Sequence, residues 1–283
     1  MAVRFSRSEL ICLVLMAVFI ALFLAFMAFF PSLYVTDDEV AYELAELAGS
    51  RLLGGAIFLT LLCYMGYPLL SLRRTPGVKA VLLCLPALLI AINNAPIIPL
   101  LTGGAVVSEG LPMILLLALA CIGIGFFEET AFRGVIFPLI LERLLRKSGA
   151  EDSSPRRRIS EKLAVFLSIV LTSAVFAIIH LLNLFSGGSP LGVLLQIGYS
   201  FLIGAMCTVV LLKTRSIWFS VLVHAVYDFG GYLVPKLGAG QIWDTPTVAL
   251  TAVLAVIVVV YFVVVFLRMP NEEINGLLMA KRK

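Results

Sequence analysis

Seven residues combine acid–base or hydrogen-bonding chemistry with apolar surroundings: Glu128, Glu129 and Arg133 in GFFEETAFRG, His180 and Asn183 in FAIIHLLN, and His224 and Asp228 in HAVYD. The chain has only two histidines, and both belong to this set. An ionisable side chain at bilayer depth costs roughly 2.5–3.5 kcal/mol on insertion scales, so such residues stay where they work or pair. On a helix, Glu129 and Arg133 are i, i+4 and share a face as an ion pair. Glu128 is turned about 100° from its neighbour and meets the same arginine less well. One carboxylate is thereby neutralised, and the other is free to exchange a proton, which is how two adjacent acids acquire separate roles. His180 and Asn183 are i, i+3, and His224 and Asp228 are i, i+4. Three helices thus each offer a two-residue polar face to one cavity.

Plainer readings compete. Glu129–Arg133 serves equally as a structural bridge, Asn183 as a helix cap, and either histidine as a packing residue. In AINNAPIIPL (91–100), Pro96 and Pro99 end or kink a helix, and the asparagines satisfy the backbone groups this frees. Gln196, Tyr199 and Ser200 adjoin the cavity, although nothing in their spacing demands it.

The elements that must position these residues are membrane helices. Of 283 residues, 61% are hydrophobic and 13% charged, with mean hydropathy +1.08. Soluble domains run at about 45–50% apolar and about 25% charged. Eight apolar segments stand out, at 10–31, 51–71, 79–101, 110–141, 162–183, 190–212, 216–235 and 247–268. Each approaches or exceeds the ~20 residues that span a bilayer, and the fourth is too long for one simple span. The first follows Arg4 and Arg7 and reads as a retained signal anchor. Basic residues mark both termini and the even-numbered loops: Arg73, Arg74 and Lys79, then Arg143 to Lys162, then Lys213 and Arg215. The first loop is acidic. This alternation predicts eight helices with both ends cytoplasmic.

The predicted architecture is therefore an all-α polytopic membrane protein, one domain over 1–283. Its motif core lies at about 110–235, with a basic cytoplasmic loop at about 142–162. The net charge of +4 is spread over short clusters, which argues for topology and against nucleic-acid binding. The five cysteines lie singly in apolar runs and imply neither disulfides nor a thiolate metal site. Depth poses a difficulty. His180 lies far from the cytoplasmic end of its segment, and His224 only about two turns from its own. Either segment five begins with a cytoplasmic helical stub, or the helices tilt and break.

EETAFRG fits the pattern EExxxR, FAIIHLLN fits FxxxH followed by an asparagine, and HAVYD fits Hxxx(N/D). In this order, each in an apolar helix, they resemble the CPBP intramembrane proteases. That group includes the Rce1-type CAAX prenyl proteases and the bacterial Abi and bacteriocin-processing relatives. The resemblance implies peptide-bond hydrolysis by activated water. Glu128 and His180 would hold and deprotonate the water, His224 would face the oxyanion, and Glu129 and Arg133 would support the site. Many members of the group have asparagine where this chain has Asp228. A carboxylate cannot donate to an oxyanion, so Asp228 is read as orienting His224. The other reading is metal ligation, because Glu128, His180, His224 and Asp228 form a donor set suited to zinc. The sequence lacks HExxH, and the metal-free route is the one adopted. The expected substrate is a membrane-associated peptide or protein, prenylated or leader-bearing, and the expected location a prokaryotic cell membrane. Two alternatives belong to other classes. One is a non-catalytic scaffold, immunity or regulatory protein of the same fold. The other is a cation-coupled transporter, against which stands the lack of an inverted repeat.

Overall fold

The computed structural model describes residues 7–66, 77–149, 160–185 and 187–270. Arg4, Arg73, Arg74, the run 156–158 and the C-terminal residues 271–283 lie outside the described residues, as do residues 150–159 of the loop read at 142–162. The described chain is helical apart from one two-stranded ribbon. Its elements are α1 (Arg7–Leu33), α2 (Glu39–Met65), α3 (Val78–Asn93), α4 (Ile97–Thr102), β1 (Ala105–Val107), α5 (Leu111–Glu129), a π-helical segment (Thr130–Ile136), α6 (Phe137–Gly149), α7 (Glu161–Ile178), a 3₁₀ turn (Ile179–Leu184), α8 (Pro190–Thr214), α9 (Ile217–Leu237), β2 (Gly238–Gly240) and α10 (Thr245–Leu267). Leucines, valines and phenylalanines such as Leu24, Phe29, Leu89, Leu119 and Val256 face outward, as lipid contact requires. This is an integral, multi-pass, all-α membrane protein.

Seven helices among the described residues are long and apolar enough to cross a bilayer. The expected eighth, at 79–101, is instead the 16-residue α3 followed by the six-residue α4. The cause lies in the sequence: Pro96 has no amide hydrogen to donate, so the helix stops just before it. The second helix begins at Glu39, not near 51. Asp38 caps it, its side chain accepting from the Ala41 amide at 2.9 Å. The acidic stretch read as a loop is thus largely the start of α2, and Glu43 pairs there with Lys236 at 2.7 Å. At its far end the fourth helix runs on to Gly149, eight residues into the predicted basic loop.

Helices α2 and α9 pack on α5, α7 packs on α8, and α1 lies on α2 at the periphery. A cluster of buried side chains from α2, α3, α6, α7, α8, α9 and α10 forms the main core, including Phe137, Leu211, Leu212, Ile217 and Phe262. Of the two routes past the depth problem, the breaks are visible: the helices that carry Glu128 and His180 lose regular winding at Thr130–Ile136 and Ile179–Leu184. Gly134 lies beside Ile217, the first residue of α9, and α6 continues beyond that level. Helix α7 packs along α6. Lys162, in the first turn of α7, donates to the Leu267 and Met269 carbonyls, closing the exposed end of α10. At the opposite face β1 and β2 pair antiparallel, with Ala105 opposite Gly240 and Val107 opposite Gly238.

Candidate active site

Helices α5 and α9 approach closely at Gly125. A Cβ added there would lie 2.9 Å from the Val221 carbonyl oxygen and 3.2 Å from the Ala225 amide nitrogen. One turn further along α5 come Glu128 and Glu129, and opposite them on α9 is His224. The backbone then widens into the π segment. Such bulges shift helical phase by an extra residue and recur at functional sites. Here the segment carries Arg133, which is fully buried.

His224 is the centre of the arrangement. Its Nδ1 lies 2.7 Å from Glu129 Oε1, and its Nε2 lies 3.5 Å from both Glu128 Oε2 and Asp228 Oδ2. An ionised carboxylate only accepts, so the Nδ1–H donates to Glu129. The shortest contact that orients His224 therefore comes from Glu129, not from Asp228 as the sequence suggested. Glu129 Oε1 also lies 3.1 Å from Arg133 Nη1, so one oxygen joins the arginine and the imidazole. The guanidinium carbon lies over the Phe176 ring, 4.5 Å from its centre. Glu129 Oε2 and the guanidinium nitrogens are buried without a well-formed hydrogen bond among the described residues.

His180 enters from the 3₁₀ turn. Its Nδ1 is 2.9 Å from the Phe176 carbonyl oxygen, which can only accept. Nδ1 therefore carries the hydrogen, and Nε2 remains an acceptor. The Phe176 ring stands edge-on to both His180 and His224, with centroids 5.2 and 5.9 Å away. Asn183, one turn beyond His180, donates to Gln196 Oε1 at 2.8 Å. It acts on the cavity wall through that glutamine.

Glu128, His180, His224 and Asp228 line one cavity of about 280 Å³. Glu129, Arg133 and Asn183 stand behind its lining. Sequence reasoning placed Gln196, Tyr199 and Ser200 near it, and all three line it. It missed Asn94, Tyr227 and Tyr232, which line it too. Tyr232 had a signal, since it stands i+4 from Asp228 and continues the same face of α9. Sequence reasoning also missed Arg51, set at a membrane edge but in fact the thirteenth residue of α2. Its guanidinium carbon lies 4.9 Å from the centre of the Phe127 ring. A second cavity of about 540 Å³, almost wholly apolar, shares Asn94, Tyr199, Ile203 and Tyr227 with the first.

The donors are of the types zinc takes. Among the described residues, however, no three His, Cys, Asp or Glu side chains are grouped as a metal would need. His224 gives Nδ1 to Glu129 and His180 gives Nδ1 to a carbonyl, which leaves the Nε2 of each ring for the cavity. Glu128, His180, His224 and Asp228 would be the residues to hold an ion, and it would polarise a carbonyl or a bound water there.

Residues 110–230 match the model of the Rce1-like family, described as type II CAAX prenyl endopeptidase Rce1-like. That stretch contains all seven residues singled out above. No curated protein and no solved structure matches the chain.

Proposed function

Over residues 110–230 this chain belongs to the Rce1-like family, and from that premise we propose an intramembrane endopeptidase that hydrolyses a peptide bond in a membrane-associated substrate. One observation carries the reading: Glu128, His180, His224 and Asp228, from three separate helical stretches, line a single cavity within the apolar body of the protein.

The chemistry follows from the donors and acceptors. Water sits between Glu128 and the free Nε2 of His180. Glu128 takes a proton as the water oxygen attacks the carbonyl carbon, and the carbonyl oxygen becomes anionic. His224, as imidazolium, keeps its Nδ1–H on Glu129 and presents Nε2–H to that oxygen. Glu128 then returns the proton to the amide nitrogen, the C–N bond breaks, and an acid and an amine leave. Arg133 holds Glu129 in place through the shared oxygen and through Phe176. Asp228 stands beside Nε2 and keeps the imidazolium matched in charge.

The adjoining apolar cavity supports a substrate that bears a hydrocarbon chain, prenyl or acyl, with its peptide end in the polar cavity. The test uses the full chain in proteoliposomes with a library of membrane-tethered peptides, lipidated and not, read by mass spectrometry. Wild type yields cleavage products and Glu128→Ala yields none. Absence of cleavage by wild type across the library, with both proteins producing the same cellular phenotype, replaces this reading with the scaffold. Activity that survives a strong chelator supports the metal-free route, and activity lost to it and restored by zinc overturns that route.

A further inference from the structure

The proposed reaction needs hydrogen-bond donors where negative charge develops, yet this wall of the cavity is rich in acceptors. Glu128 and Asp228 both lie 3.5 Å from the one nitrogen of His224 that faces the cavity. An ionised carboxylate has no hydrogen to give. Two side-chain amides line the cavity, Gln196 and Asn94. Gln196 lies on the His180 side, tied to Asn183. Asn94 lies on the His224 side.

Asn94 ends α3, and its Nδ2 donates to the Tyr227 carbonyl oxygen at 2.7 Å. Tyr227 follows His224 by three residues and precedes Asp228 by one, so the amide is anchored within a turn of both. The helices meet here without side chains between them. A Cβ at Gly230 would lie 2.5 Å from the Ala95 nitrogen, and one at Gly231 would lie 2.7 Å from Asn94 Nδ2. Gly231 itself lines the cavity, so the amide rests on bare backbone at its wall. The neighbouring Asn93 turns away and donates to Thr251 on α10 at 2.8 Å. The two asparagines therefore divide their work: one ties helices together, and the other is held rigid beside the reacting groups.

We infer that Asn94 is a substrate-contacting residue, and that the amide N–H left free by Tyr227 donates to the carbonyl oxygen of the bond under attack. A primary amide has two hydrogens, and the carbonyl engages one. Because the first bond fixes the group before substrate arrives, the second costs little reorganisation. This rests on the hydrolase reading above.

The test compares wild type, Asn94→Ala, Asn94→Asp and Asn93→Ala in proteoliposomes, with a tethered peptide that wild type cleaves. Losing a donor to the oxyanion lowers kcat by roughly 100-fold. Both Asn94 variants are expected to show that loss with KM within about threefold, because the bond strengthens in the transition state. Asn93→Ala is expected to lower thermal stability and leave kcat within about threefold. If the Asn94 variants fold poorly, Gly231→Ala keeps the asparagine and puts a methyl group 2.7 Å from its side-chain nitrogen, close enough to push the amide aside. The same selective loss of kcat is expected from it. An active wild type whose Asn94→Ala and Gly231→Ala variants keep kcat, or lose only KM, overturns this inference and leaves the hydrolase reading standing. A wild type that cleaves no peptide overturns both.

Discussion

Replacing Gly125 by alanine tests how closely α5 and α9 must approach for His224 to meet Glu129. The new Cβ would face the Val221 carbonyl oxygen at 2.9 Å and the Ala225 nitrogen at 3.2 Å. Both are backbone atoms, so no change of rotamer relieves the contact. Comfortable van der Waals separations begin near ~3.5 Å, so α9 must retreat by about 0.6 Å. Moved by that amount, the 2.7 Å contact between Glu129 and His224 becomes about 3.3 Å, beyond the usual hydrogen-bond range. A displacement of ~1 Å costs about 100-fold in rate, so about half of it predicts a loss near tenfold in kcat/KM. Overpacking destabilises by about 1–3 kcal/mol, offset by about 0.5–1 kcal/mol from removing glycine from a helix. The assays are peptide cleavage in proteoliposomes and thermal unfolding in detergent. Gly198→Ala is the control, since its Cβ would meet nothing within 4 Å. A Gly125→Ala protein with wild-type activity and an unchanged unfolding midpoint would refute the argument.

Three further predictions concern the supports of the site. Arg133→Met leaves the buried Glu129 with the His224 ring as its remaining partner, so stability is expected to fall by about 3 kcal/mol, the low end for breaking a buried pair, with Arg133→Lys intermediate because lysine has no planar group to lie on Phe176; chemical unfolding in detergent measures this. Arg51→Met removes a guanidinium whose buried Nε has no hydrogen-bond partner among the described residues and keeps a long apolar side chain over Phe127; stability is expected to hold or rise by about 1 kcal/mol, read as the thermal midpoint. Asp38→Ala removes the cap of α2 and is expected to cost about 1 kcal/mol with cleavage unchanged, separating stability from chemistry.

Much of this architecture is legible in the residue order, because lipid imposes a strict rule on which side chains face outward. The helix count fails at α3 because hydropathy sums over 79–101 and does not register that Pro96 breaks the ladder. The start of α2 is misplaced because charge was taken to mark a loop, whereas Glu39, Glu43 and Glu46 sit in a helix capped by Asp38. That same error set Arg51 at the membrane edge. Within the site, i, i+4 spacing pairs Glu129 with Arg133 correctly. It cannot show that His224 arrives from α9 at the same carboxylate, since that depends on how helices cross. Asn94 was read as satisfying backbone groups, and it does accept that task. The carbonyl it serves belongs to another helix, 133 residues away in the chain, and no local pattern could reveal it.

The π segment has a consequence for sequence change. Seven residues, Thr130 to Ile136, fill the turns that six would fill in regular winding, so the helical phase of the residues beyond is offset by about 100° from that of the residues before. Removing any one of them would bring the two halves into step. Phe137 and Leu141 would keep their place in the core and Arg143 its exposed face, because six residues in regular winding turn through about the same angle as these seven. A lost codon in this short stretch is thus absorbed where it falls, and its cost lands on the buried side chains of the segment itself, Phe132 and Arg133 among them.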